Sequence, residues 1–147
     1  LKVALLEPAD PKLLEALRPF RALTAENSES AATAGNYFEA AWRAMSVSLY
    51  EYRRGNPTLA ITWAERCLGY PDFNGPREAA AHAIRALALL MTGKPDEART
   101  SIGEAMHLIE SRYLGTNDRG NPVHGFWFDW AFAHILAEEA LARINPA

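Results

Sequence analysis

The 147-residue sequence has a single cysteine, Cys67. No internal disulfide framework can staple the chain, and a lone thiol fits a reducing compartment. No apolar run approaches the ~20 residues that a bilayer crossing requires. The opening Leu1-Lys2-Val3-Ala4-Leu5-Leu6 stops at Glu7-Pro8, which suits neither a signal peptide nor an anchor. β-Branched residues are sparse and strand-like alternation is hard to find, so little in the chain favours a sheet. Basic charge is not in excess either: 15 Lys and Arg stand against 18 Asp and Glu, a formal net charge of −3 with a pI near 5.8. A nucleic-acid binder normally presents a basic face. The one dense basic pair, Arg53-Arg54, reads as a solvated helix end. These absences predict a cytoplasmic protein that engages neither nucleic acid nor membrane. A first residue other than Met leads us to expect part of a longer polypeptide.

What remains is a chain of one-domain length, 49% hydrophobic and rich in Ala, a composition that favours closely packed helices. Helical periodicity recurs between short breaks. Residues 1–6 read as a helical stub. Asp10 is a candidate N-cap with Pro11 in the first turn, opening a helix to about residue 25, with Pro19 predicting a kink or break. Residues 27–35, rich in Ser, Thr and Ala, read as a polar loop. Further helices are expected over about 36–54, ended by Gly55, then 57–68 with Asn56 as its N-cap, 77–92 and 95–112. Residues 115–125 read as a longer excursion before a last helix over 126–144. The layout is one domain of about six helices: an N-terminal part (1–35), two hairpins (36–70 and 76–112) and a closing helix.

The two hairpins repeat each other. Aligning Gly55 with Gly93 pairs Gly55-Asn-Pro57-Thr-Leu-Ala60 with Gly93-Lys-Pro95-Asp-Glu-Ala98. Small residues also coincide, Ser48 with Ala86 and Cys67 with Ala105. Gly supplies a left-handed C-terminal cap, Pro pre-sets the next first turn, and small mid-helix residues let backbones approach. This spacing is similar to the tetratricopeptide repeat, over about residues 38–70 and 79–112, with 126–144 resembling the helix that often closes such arrays. The repeat length is 38 residues against the usual ~34, the excess falling in 69–76. Val47 and Arg85 stand where that pattern expects Leu, and Asp72 and Glu110 where it expects a closing Pro. Arg85 must therefore pair or reach solvent. The resemblance implies an all-α superhelix of antiparallel hairpins that holds a protein or peptide partner in a concave groove, with no cofactor.

In such arrays the first helix of each hairpin lines the groove. Carried onto this chain, that face comprises Trp42, Met45, Leu49, Tyr52 and Arg53, followed by Ala83, Leu87, Leu90 and Met91. Trp127, Trp130 and His134 continue it if the last helix keeps the register. An apolar stripe is more often core than binding surface, and the groove has other candidate occupants: the helix over 11–25, or a second copy in a homodimer. An oligomerisation module with a self-filled groove is thus the alternative to a scaffold. Lys, Asn and Arg clamps for acidic peptide tails are replaced here by Met45, Leu49, Ala83 and Leu87, which argues against a chaperone co-factor. The runs Trp42-Arg43-Ala44, Glu51-Tyr52-Arg53-Arg54-Gly55 and Trp127-Phe128-Asp129-Trp130 also resemble the repeat-containing tails of bacterial serine/threonine protein kinases. The chain itself holds no Gly-rich phosphate loop, His-Arg-Asp or Asp-Phe-Gly.

Catalytic chemistry finds little support. His82, His107, His124 and His134 do not form a ligand motif, and His134-x-x-x-Glu138 alone is a common coincidence. Cys67 occupies a packing position and reads as a buried thiol. Ser111, Thr116 and Asp118 have no placed base. Asp129, between two Trp, reads as a cap or an acceptor for an indole N–H.

Overall fold

A computed structural model of the chain describes residues 1–114 and 125–146. It is all-α, with six α-helices and no strand among the described residues. After a short 3₁₀ turn at Val3–Leu5 come α1 (Pro11–Thr33), α2 (Tyr37–Arg54), α3 (Pro57–Gly69), α4 (Gly75–Met91), α5 (Pro95–Ile109) and α6 (Trp127–Ile144). Glu110–Leu114 forms a wider π-type turn after α5. The predicted excursion over 115–125 lies outside the described residues except for Gly125.

Consecutive helices pack as antiparallel neighbours, and α2, α4 and α6 also pack side by side. They form an inner layer, with α1, α3 and α5 outside. Each outer helix opens with Pro at its first position: Pro11, Pro57 and Pro95. Two inner helices open on Asn36 and Asn74, whose side chains accept from Glu39 N (3.2 Å) and Arg77 N (3.1 Å). Gly55 (φ +86°) and Gly93 (φ +73°) adopt the left-handed conformation at the turns out of α2 and α4. The amide beyond each reaches back to a helix carbonyl, Asn56 N to Glu51 O (2.8 Å) and Lys94 N to Leu89 O (3.0 Å). The expected 38-residue repeat is therefore also a repeat of capping geometry.

The small positions do face neighbouring helices. Ser48, Ala60, Ala86, Ala98 and Ala105 have no exposed surface, and Cys67 is almost as buried. Three serines add a hydroxyl bridge across a helix pair. Ser28 donates to Ala40 O (2.8 Å), Ser48 to Ala60 O (2.7 Å) and Ser101 to His82 O (2.9 Å). Each bridge fixes a close backbone approach and satisfies a buried polar group. Arg85 is half-buried and meets Glu65 at 3.2 Å, the pairing its position demanded.

Three local expectations are corrected. Residues 27–33 are helix, not loop, so α1 runs 23 residues. Burial of Ser28 against α2 outweighs the weak helix propensity of this stretch, and Thr33 bonds back to Glu29 O. Pro19 does not break α1; it lies on the exposed side, where its missing N–H is tolerated. Asn56 occupies the N-cap position of α3, but its amide donates to Glu51 Oε2 (3.0 Å) instead of capping.

Candidate functional site

The inner layer decides what became of the predicted groove. Met45, Leu49, Ala83 and Leu87 are fully buried, and so is Trp130 to within 1%. Tyr52 is buried and Trp42 and Leu90 half-buried; Met91 and Trp127 are exposed. Most of the predicted groove face is therefore core in this structure. The physical reason is that α6 packs on α4 and residues 1–6 fill the space left between α2 and α6. The helix over 11–25, one of the expected occupants, lies elsewhere: α1 packs on α2 as an outer helix, with Tyr50 Oη donating to Leu14 O (2.9 Å).

Two polar clusters hold the inserted segment. Lys2 Nζ lies 2.7 Å from Asp129 Oδ1 and 4.1 Å from the centroid of the Trp42 ring, with Phe132 at 5.3 Å. Asp129 thus serves an ammonium, where a cap or an acceptor for an indole N–H was expected. At the other end Arg53 spans the cleft. Its Nε donates to Leu5 O (2.9 Å) and its Nη2 to Leu6 O (2.7 Å). The same guanidinium forms a two-pronged pair with Glu139, at 2.7 and 2.8 Å. With its side chain only 3% exposed, Arg53 is a cross-link and not the solvated helix end predicted for the Arg53-Arg54 pair. Arg54 is exposed as expected.

These contacts tune the groups involved. Burial pushes the Tyr52 hydroxyl up to about 12, and the Glu139 carboxylate that accepts its proton (3.0 Å) adds to the effect. Burial alone would raise Glu139, but the hydrogen bonds and charge of Arg53, with help from Tyr52 and Arg143, hold it below the ordinary carboxylate range. His82 is lowered because burial disfavours its charged form. Burial likewise drives the Cys67 thiol up to about 12, the state of an inert packing residue.

Beside the inserted segment the surface stays open and apolar. Phe126, Trp127 and Phe128 are 52%, 59% and 52% exposed. Phe126 stacks on Phe128 at 5.3 Å, and Trp127 meets Phe128 edge-on at 6.0 Å. A cleft of ≈ 290 Å³ runs among Val3, Leu6, Trp127, Phe128 and Ile135. A second, of ≈ 400 Å³, opens on the other side of Lys2 and Asp129, among Phe38, Trp42 and Phe126. The aromatic run at the start of α6 was visible in the sequence through Trp127 and Trp130, but its two faces separate: Trp130 turns inward, Trp127 outward.

No three His, Cys, Asp or Glu side chains come together as a metal site among the described residues. His134 Nε2 and Glu138 Oε1 lie 3.3 Å apart as neighbours along α6. His124, Thr116 and Asp118 lie outside the described residues. No described helix is long and apolar enough to cross a membrane. Comparison with protein-family models, with curated proteins and with solved structures finds no match.

Proposed function

We propose that this chain is a non-catalytic, tetratricopeptide-like interaction module that works in the cytoplasm and binds a protein or peptide partner without a cofactor. The observation that carries this reading is the cluster of Phe126, Trp127, Phe128 and Ile135, all about half exposed, beside an apolar-walled cleft. Large aromatics on a surface are costly to keep in water and are the side chains that dominate binding energy when a partner covers them. The site proposed here is thus displaced from the groove face read from the sequence to the flank of α6. The likeness of Glu51-Tyr52-Arg53-Arg54-Gly55 and Trp127-Phe128-Asp129-Trp130 to kinase tails supports placing such a module downstream of a catalytic domain.

Panning a random phage-displayed peptide library against the chain tests the reading. Selected peptides should bind the unaltered protein, and Trp127→Ala should weaken them more than about fivefold, the equivalent of more than ~1 kcal/mol. Its melting temperature should stay put. Peptides indifferent to Trp127, or none selected at all, would overturn it.

A second reading is favoured by the burial of Met45, Leu49 and Leu87: a structural or oligomerisation module whose groove is filled from within. Light scattering separates the two. A concentration-dependent dimer in which Trp127 becomes shielded from quenchers supports the second.

A further inference from the structure

Residues 1–6 are seated in the way a bound peptide would be. The segment has only two backbone hydrogen bonds of its own, Leu5 N to Lys2 O (3.1 Å) and Leu6 N to Val3 O (3.4 Å). Everything else that fixes it comes from the walls. One carboxylate and the rings of Trp42 and Phe132 take the ammonium of Lys2, Leu5 is fully buried in the core cluster, and Arg53 takes two successive carbonyls. The join to α1 is residues 7–10; it is short and contains Pro8, which cannot donate a backbone hydrogen bond.

We infer that the cleft between α2 and α6 is a peptide site that the chain's own residues 1–6 occupy, and that it selects a peptide with a basic residue followed by Leu three positions later. This inference rests on the interaction-module reading and names the ligand chemistry. The basic preference follows from Asp129 and from the ring face of Trp42, both of which favour a cation. The Leu preference follows from the buried pocket of Leu5. Arg53 reads backbone carbonyls, which any peptide carries, and is already neutralised by Glu139, so an acidic peptide gains no free cation there. The own segment then competes with any outside ligand, and occupancy is set by the difference between the two.

The test uses the full 147-residue chain and a fluorescein-labelled, N-acetylated peptide copying residues 1–9. In the Lys2→Ala/Leu5→Ala double variant the inner occupant is weakened while the walls are untouched. Fluorescence anisotropy should show this variant binding the peptide at least tenfold more tightly than the unaltered chain. Adding Asp129→Asn to it should weaken binding about fivefold or more. A copy of the peptide with Ala at both positions should not bind. Equal binding of the two peptides, or none by a folded double variant, overturns the inference. Should the double variant not fold, hydrogen exchange on the unaltered chain decides. The amides of Leu5 and Leu6 should exchange through local opening, about 100-fold or more faster than those of central α4; protection equal to α4 makes the segment core and ends the proposal. Failure here leaves phage-selected, Trp127-dependent peptides unaffected, so the broader reading stands or falls separately.

Discussion

Replacing Glu139 by Gln probes the cross-link that closes the cleft. In the native protein its two oxygens receive Arg53 Nη1 and Nη2 at 2.7 and 2.8 Å and the Tyr52 hydroxyl at 3.0 Å, with Arg143 at 3.2 Å. Gln retains one acceptor and turns an NH₂ donor toward the donors of Arg53. Removing one member of a fully buried ion pair costs about 3–5 kcal/mol. Glu139 has 18% of its side chain exposed, so partial hydration brings the expected loss to about 2–3 kcal/mol at pH 7. With ~3 °C per kcal/mol for a domain of this size, the melting temperature should fall by about 6–9 °C. The pH dependence gives an independent check. Since the fold holds this carboxyl below its ordinary 4.5, its contribution is complete above that pH and is lost as pH falls through the lowered native value. The gap between parent and variant should therefore close on acidification. Burial raises Glu78 and lowers His82, but both effects are common to parent and variant and cancel in the difference. Urea titrations at pH 7 and near pH 3 measure it. A loss under about 0.5 kcal/mol at pH 7, or a gap that does not shrink with acid, would refute the reasoning.

Other expectations concern the repeat itself. Ala86→Leu puts three extra carbons at a fully buried contact of α4 and should destabilise by about 1–3 kcal/mol, read by chemical denaturation; a neutral result means the position has room. Gly55→Ala meets no neighbouring atom, so only its left-handed backbone (φ +86°) is strained, and a loss of about 1 kcal/mol is expected. In native protein at pH 8 Cys67 should resist a disulfide-exchange reagent and react only as the chain unfolds, given its burial and raised pKa. Rapid labelling without unfolding would contradict that.

Much of the scaffold was legible because it is written in local chemistry. Gly55 and Gly93, Pro57 and Pro95, and the small residues between them each impose a conformation or a spacing within one hairpin, and all fell where expected. Residues 27–33 were misread because their helix is held by a partner in α2, through the hydroxyl of Ser28, which no local propensity reports. The cleft was less legible still. The resemblance to repeat arrays implied that Met45, Leu49 and Leu87 share a face, but not whether that face meets water. Its covering depends on Lys2 meeting Asp129 and on Arg53 meeting Glu139, pairs that lie far apart along the chain and leave no periodic trace. The Glu51-Tyr52-Arg53 run was singled out by resemblance alone. Its physical content emerged in three dimensions, where Glu51 holds Arg21 of α1 (2.7 Å) and its two successors hold α6.

The opening of α4 carries a constraint on how this sequence can drift. A Cβ built on Gly75 would lie 2.8 Å from Cζ2 and 2.9 Å from Cη2 of Trp130, so an indole from the last helix rests where any other residue would place its first carbon. The two positions behave as lock and key, and changes must arrive in order. A smaller side chain at 130 can come first and leave a hole; only then can 75 acquire a side chain to fill it. The reverse order forces two helices apart before any compensation exists, so relatives of this chain should carry the pair together or lose it together.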